Sequence, residues 1–123
     1  MRTVPGQDSH AELPRLRVHH QQAPGAVVVG VVGDVDRNTV PELEEQVVEA
    51  TRADVPLVLD LTGVTFLDST GLSALVRCHQ RGQRDGTGFR VVVASRTVSR
   101  PLSLTSLDAL LDLYSTVEAA LAG

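Results

Sequence analysis

Residues 64–75 read VTFLDSTGLSAL. One apolar run ends and another begins, and between them stand a carboxylate, Asp68, two adjacent hydroxyls, Ser69 and Thr70, and a glycine, Gly71. Three kinds of chemistry suit such a cluster: nucleophilic catalysis, receipt of a covalent group such as phosphate, and helix capping. Asp, Ser and Thr are favoured N-caps, worth about 1 kcal/mol each, so capping alone accounts for the residue types. The same geometry also suits modification. A helix N-terminus presents free N–H groups and a partial positive charge, so a phosphate there is tolerated by the host fold. A strand-to-helix junction lies where another enzyme can reach it, and Gly71 offers bare backbone for a close approach.

A second polar stretch, GDVDRNT at 33–39, sets Asp34, Asp36 and Asn38 after another apolar run. Its simplest reading is a turn leading into a capped helix. In a parallel arrangement, however, both polar stretches follow strands and fall at the C-terminal end of the sheet, where sites in α/β proteins collect. Acids placed there can orient a hydroxyl or meet the Arg and Lys side chains of a partner.

Catalysis by the chain itself has little support. There is no G-x-S-x-G elbow, no G-x-G-x-x-G and no Gly-rich phosphate loop. All eleven basic residues are Arg, which excludes a P-loop lysine or a Schiff base. His10 falls in a polar N-terminal stretch, and His79 suits a helix boundary. His19 and His20 are neighbours on an expected strand and point to opposite faces. No catalytic set, metal site or cofactor site emerges.

The elements that must position the two polar stretches follow from apolar periodicity. Residues 1–14 contain Pro5, Gly6 and Pro14 without periodicity and are expected as a flexible lead-in. Strands are expected at 16–22 and 26–32, joined as a hairpin through APG at 23–25. The run AVVVGVV is continuous, as for a strand buried on both faces. TVPELEEQVVEATR predicts a helix with a T-x-x-E capping box at Thr39 and Glu42 and with Val40, Leu43, Val47 and Ala50 inward. A strand at 56–61 follows, then a helix from near Thr70 to near Gln83 with Leu72, Leu75, Val76 and His79 inward. A strand at 89–95, a helix within 97–110, a short strand at 111–114 and a helix capped by Ser115 and Glu118 complete the chain. The fold class is α/β: one domain with a mixed, mostly parallel sheet of about five strands and about four helices lying on both its sides.

Composition agrees with one globular domain of 123 residues, 42% of them hydrophobic. The net charge of −4 argues against nucleic acid as a bulk partner. Cys78 is the single cysteine and falls on an apolar-periodic helix, so it reads as a small buried hydrophobe in a reducing compartment. The N-terminus lacks the apolar core of a secretory signal, and no run approaches the roughly 18 apolar residues of a membrane helix. A cytoplasmic protein with no membrane partner is expected.

GDVDRNTVPELEEQV, then LVLDLTGVTFLDSTGLSALV, then GFRVVVAS together resemble the STAS domain of anti-anti-sigma factors, from about Val27 to Leu121, within a domain spanning 15–123. The resemblance implies an antagonist that binds an anti-sigma factor, itself a serine/threonine kinase, and so frees a sigma factor. It implies phosphorylation by that kinase at the second hydroxyl of D-S-[ST]-G, here Thr70, with Ser69 as the runner-up, and reset by a phosphatase. It implies a partner-binding face containing Asp34, Asp36, Asn38, Asp68, Ser69 and Gly71. A different class of function is a structural or nucleotide-binding STAS subunit of a larger complex, for example one associated with transport, in which DSTG only caps a helix.

Overall fold

A computed structural model of the chain describes residues 15–123. The expected lead-in at 1–14, with His10, lies outside the described residues. Strand β1 (Leu16–Ala23) and strand β2 (Ala26–Val35) form an antiparallel hairpin whose register runs from Leu16 opposite Gly33 to Ala23 opposite Ala26. Strands β3 (Leu57–Leu67), β4 (Phe89–Val92) and β5 (Asp112–Tyr114) add in parallel, so the sheet runs in chain order from β1 to β5. This is the expected α/β class with a mixed, mostly parallel sheet of five strands.

Period-two alternation explains how the two faces are divided. Val27, Val29, Val31, Leu57, Leu59, Leu61 and Val91 face one way and enter the larger core. Ala26, Val28, Val58 and Val92 face the other way and enter the smaller one. Helices α1 (Val40–Ala50), α2 (Ser69–Asp85) and α3 (Arg96–Leu104) each follow a strand and precede the next parallel strand. Right-handed crossovers between strands added in one direction put all such helices on one face. Val40, Leu43, Val47, Ala74, Leu75, Cys78, Val98 and Leu102 accordingly join the larger core. Helix α4 (Val117–Ala122) follows the last strand and covers the opposite face through Ala120. Helices therefore lie on both sides, three against one. None of the described helices is long and apolar enough to cross a membrane.

Several boundaries differ from the sequence expectation, each for a local reason. Strands β2 and β3 run on to Val35 and Leu67, because their polar ends pair with each other. Strand β4 stops at Val92, three residues short of the expected end. The helix expected within 97–110 is α3 plus a short 3-10 turn at Leu107–Ala109, interrupted at Ser106, which takes a left-handed φ of 62°. Helix α4 is capped by Thr116, whose Oγ1 accepts from Ala119 N–H at 3.0 Å, in place of the expected Ser115 and Glu118 box.

The buried stripe of α2 is Gly71, Ala74, Leu75, Cys78 and Gly82. Of the expected inward residues Leu72, Leu75, Val76 and His79, only Leu75 is fully buried. Small residues turn to the sheet and let the helix sit close, while Leu72 packs against the core from its edge and Val76 is only half-buried. Cys78 is buried as expected, and burial pushes its thiol up to about 11.

Candidate functional site

Strands β2 and β3 end side by side, with Asp34 opposite Phe66 and Val35 opposite Leu67. The register between them shifts twice, after Gly30 and after Gly33, and such irregularities re-aim side chains at a sheet end. Beyond Leu67 the chain is held by Asp68 N–H donating to Val35 O at 3.2 Å. Helix α2 then begins at Ser69, so Thr70 lies in the first turn, as the sequence predicts.

Asp68 is the N-cap. Its Oδ1 accepts from Thr70 N–H at 3.0 Å and from Gly71 N–H at 3.1 Å, satisfying two of the free donors of the first turn. The same oxygen accepts from the Thr70 hydroxyl at 2.5 Å. That hydroxyl first, then the backbone N–H groups of Gly71, Thr70 and Arg37, hold the Asp68 carboxyl below its ordinary value of 3.8, against an opposing effect of partial burial. Thr70 is therefore half-buried with its Oγ1 oriented, whereas Ser69 is exposed. The two hydroxyls are adjacent in sequence yet differ in environment.

Gly71 faces inward. A Cβ there would lie 2.5 Å from Leu67 Cδ1, 2.8 Å from Val35 Cγ1 and 3.3 Å from Val35 O. The sequence reading puts Gly71 at the rim, where bare backbone admits a partner. Instead its missing side chain lets the first turn of α2 press onto the ends of β2 and β3, and so it places Thr70.

The acids at 34 and 36 separate in role. Asp36 is only 8% exposed. Its Oδ1 accepts from Asn38 N–H at 2.9 Å and Thr39 N–H at 3.1 Å, and its Oδ2 takes Arg15 Nη2 at 2.6 Å. Thr39 Oγ1 accepts from Asp36 N–H at 2.9 Å and donates to Asp34 O at 2.8 Å. These bonds replace the expected Thr39 and Glu42 box: Thr39 keeps a helical backbone and makes no side-chain cap bond, because its hydroxyl is spent on the turn. Asp34 is the more open acid. Its Oδ1 accepts from Thr65 Oγ1 at 3.0 Å, and its Oδ2 lies 3.5 Å from Arg15 Nη2. Asn38 is exposed beside them.

Three further residues, Arg15, Arg37 and Phe66, line the site, and sequence reasoning named none of them as part of it. Arg15 O accepts from Asp34 N–H at 2.8 Å. Gly33, at φ 115°, makes this approach possible, since any Cβ there would strike Arg15 O. Phe66 is 49% exposed, a large apolar ring beside the acids. The only signal for Phe66 was its place in an otherwise β-alternating run, and for Arg15 there was none, because its contact spans 21 residues of chain. A cleft of about 430 Å³ joins the two polar stretches and is lined by Arg15, Asp36, Arg37, Asn38, Phe66, Asp68 and Thr70.

Known proteins share this sequence pattern and fold. The family described as the STAS domain matches residues 17–120. Anti-sigma-F factor antagonist RsfB of Mycobacterium tuberculosis is 38% identical over 102 residues, covering 80% of this chain and 81% of its own length. An anti-sigma factor antagonist from Mycobacterium paratuberculosis superposes with a TM-score of 0.79 at 35% identity, over 87% of this chain and 92% of that one. The anti-sigma factor antagonist SpoIIAA in its unphosphorylated form superposes at 0.63 with 17% identity, over 85% and 93% of the two chains, a likeness of fold alone.

Proposed function

This chain belongs to the STAS domain family, and from that premise we propose that it is an anti-sigma factor antagonist switched off by phosphorylation of Thr70. It binds an anti-sigma factor that is also a serine/threonine kinase, in the cytoplasm, and by occupying it frees a sigma factor. It is a regulator and not an enzyme, in keeping with relatives named as anti-sigma factor antagonists.

One observation carries the reading: the Thr70 hydroxyl is held 2.5 Å from Asp68 Oδ1 at the end of the sheet that also carries Asp34 and Asp36. With its hydrogen directed at Asp68, Oγ1 keeps its lone pairs for an incoming phosphorus. In the transfer the Oγ1–P bond forms, the bond from the γ-phosphorus of ATP to the bridging oxygen of ADP breaks, and the hydroxyl proton departs to a base. Asp68 is a positioning residue in that step. Asp34, Asn38, Ser69 and Phe66 are the accessible part of the partner face. Asp36 and Gly71 shape it from beneath, and Asp68 sets the acceptor.

Phosphorylation adds roughly −1.5 to −2 charges at neutral pH. The isolated domain tolerates this charge at the start of α2. In a complex it must be desolvated beside Asp34, Asp36 and Asp68, so the complex weakens. A phosphatase then resets the antagonist.

The test is displacement of the sigma factor. Wild-type protein and Thr70→Ala, titrated onto a preformed complex of the sigma and anti-sigma factors, release the sigma factor. Thr70→Glu releases it at least about tenfold less well, equivalent to about 1.4 kcal/mol. Equal release by Thr70→Glu would remove the switch and leave a structural STAS subunit as the better reading.

A further inference from the structure

The cleft beside Thr70 holds two cations as well as the acids, and neither is needed to make a partner face acidic. Arg15 enters from the start of β1 and Arg37 from the turn between β2 and α1, and both line the cleft that Thr70 lines. Arg15 is already engaged, by Asp36 at 2.6 Å and Asp34 at 3.5 Å, yet its side chain is 56% exposed. Arg37 is exposed and forms no ion pair among the described residues.

Without a phosphate the charges lining the cleft balance, two arginines against Asp36 and Asp68, with Asp34 behind. A phosphate on Thr70 Oγ1 loses the hydrogen bond to Asp68 and becomes a dianion next to that carboxylate. Nearby cations must then turn to it, and guanidinium groups suit it through paired N–H donors.

We propose that Arg37 and Arg15 form an internal receptor for the phosphate on Thr70, with Arg37 as the first contact and Arg15 shared between the phosphate and Asp36. The inference rests on the phosphoswitch reading and deepens it. The phosphorylated protein is then a closed state: its phosphate is folded onto its own surface, and Arg15 is drawn from Asp34 toward the cleft. The phosphate thereby becomes part of the surface that the partner no longer fits, and it is shielded from the phosphatase until Arg37 lets go.

The test installs phosphothreonine at position 70 during translation, so that it does not depend on any kinase. Phosphorus NMR then follows the second ionisation of the phosphate, about 6 when unassisted. The charged groups facing it are Arg15 just before β1, Asp34 on β2, Asp36 and Arg37 in the following turn, and Asp68 at the head of α2. The carboxylates alone raise the ionisation point and the arginines lower it. In wild-type protein it lies at or below the unassisted value. Arg37→Ala raises it by about half a unit or more, Arg15→Ala raises it too, and Arg37→Lys restores part of the shift. Circular dichroism melting verifies that each variant is folded, and Arg37→Ala, at an exposed turn position, is the variant least exposed to loss of fold. An ionisation point unchanged by Arg37→Ala and by Arg15→Ala would overturn the receptor, even where Thr70 is the kinase's acceptor. Conversely, absence of phosphate transfer by the kinase would overturn the switch while leaving the NMR result to stand.

Discussion

Asp68 does two jobs with one oxygen, so the chemistry of the site is tied to the stability of α2. Asp68→Asn retains an acceptor for the Thr70 and Gly71 N–H groups but removes the charge that holds the hydroxyl. The expected cost is about 1 kcal/mol or less in stability, a few degrees in Tm, with a larger fall in the rate of phosphate transfer to Thr70. The carboxyl sits below its ordinary value of 3.8 when folded. A depressed folded value means that Asp68 contributes stability fully above the unfolded value and loses it as pH falls through the folded one. Acid unfolding of wild-type protein therefore includes a loss below pH 3.8 that Asp68→Asn lacks, measured by denaturant titration at a series of pH values. Gly71 makes the second residue-scale prediction. A methyl group at 2.5 Å from Leu67 Cδ1 and 2.8 Å from Val35 Cγ1 has to push the helix start outward. Gly71→Ala is expected to cost about 1–3 kcal/mol and to slow phosphorylation by displacing Thr70, whereas Ser73→Ala on the exposed side of the same helix does neither.

The turn from β2 to α1 shows where sequence reasoning stops at the scale of elements. T-x-x-E at Thr39 and Glu42 has the spacing of a capping box, but spacing does not reveal that Asp36, three residues earlier, already serves the Thr39 N–H and takes the hydroxyl into its own turn. Two substitutions separate these arrangements in thermal melts. Thr39→Val keeps the shape and removes a hydroxyl used by Asp36 N–H and Asp34 O. It leaves buried groups unpaired, at a cost of about 1–3 kcal/mol. Glu42→Ala touches neither bond and changes stability by about 0.5 kcal/mol or less. The reverse order would restore the capping box. The α2 stripe carries the same lesson. Of the large apolar residues expected inward only Leu75 is fully buried, and small residues, Gly71, Ala74, Cys78 and Gly82, make up the rest of the stripe that turns to the sheet, because close approach there is limited by side-chain size.

At the scale of the molecule, strand and helix order, the mixed sheet and the pairing of the two polar stretches were legible. Continuous β-branched runs such as AVVVGVV and the alternation of strand with helix leave few ways to bury both faces. The resemblance to anti-anti-sigma factors then pointed to Thr70. Arg15, Arg37 and Phe66 as parts of the site were not legible: they meet only because β1 pairs with β2 and β3 ends beside β2. The central claim, a phosphoswitch at Thr70, is tested most directly by incubating the protein with its anti-sigma kinase and ATP and locating the phosphate by site-resolved mass spectrometry. The account predicts phosphate on Thr70, still present in Ser69→Ala and lost in Thr70→Ala, because Asp68 orients only the Thr70 hydroxyl. Phosphate on Ser69, or on neither residue with a kinase that is active on another substrate, would contradict it.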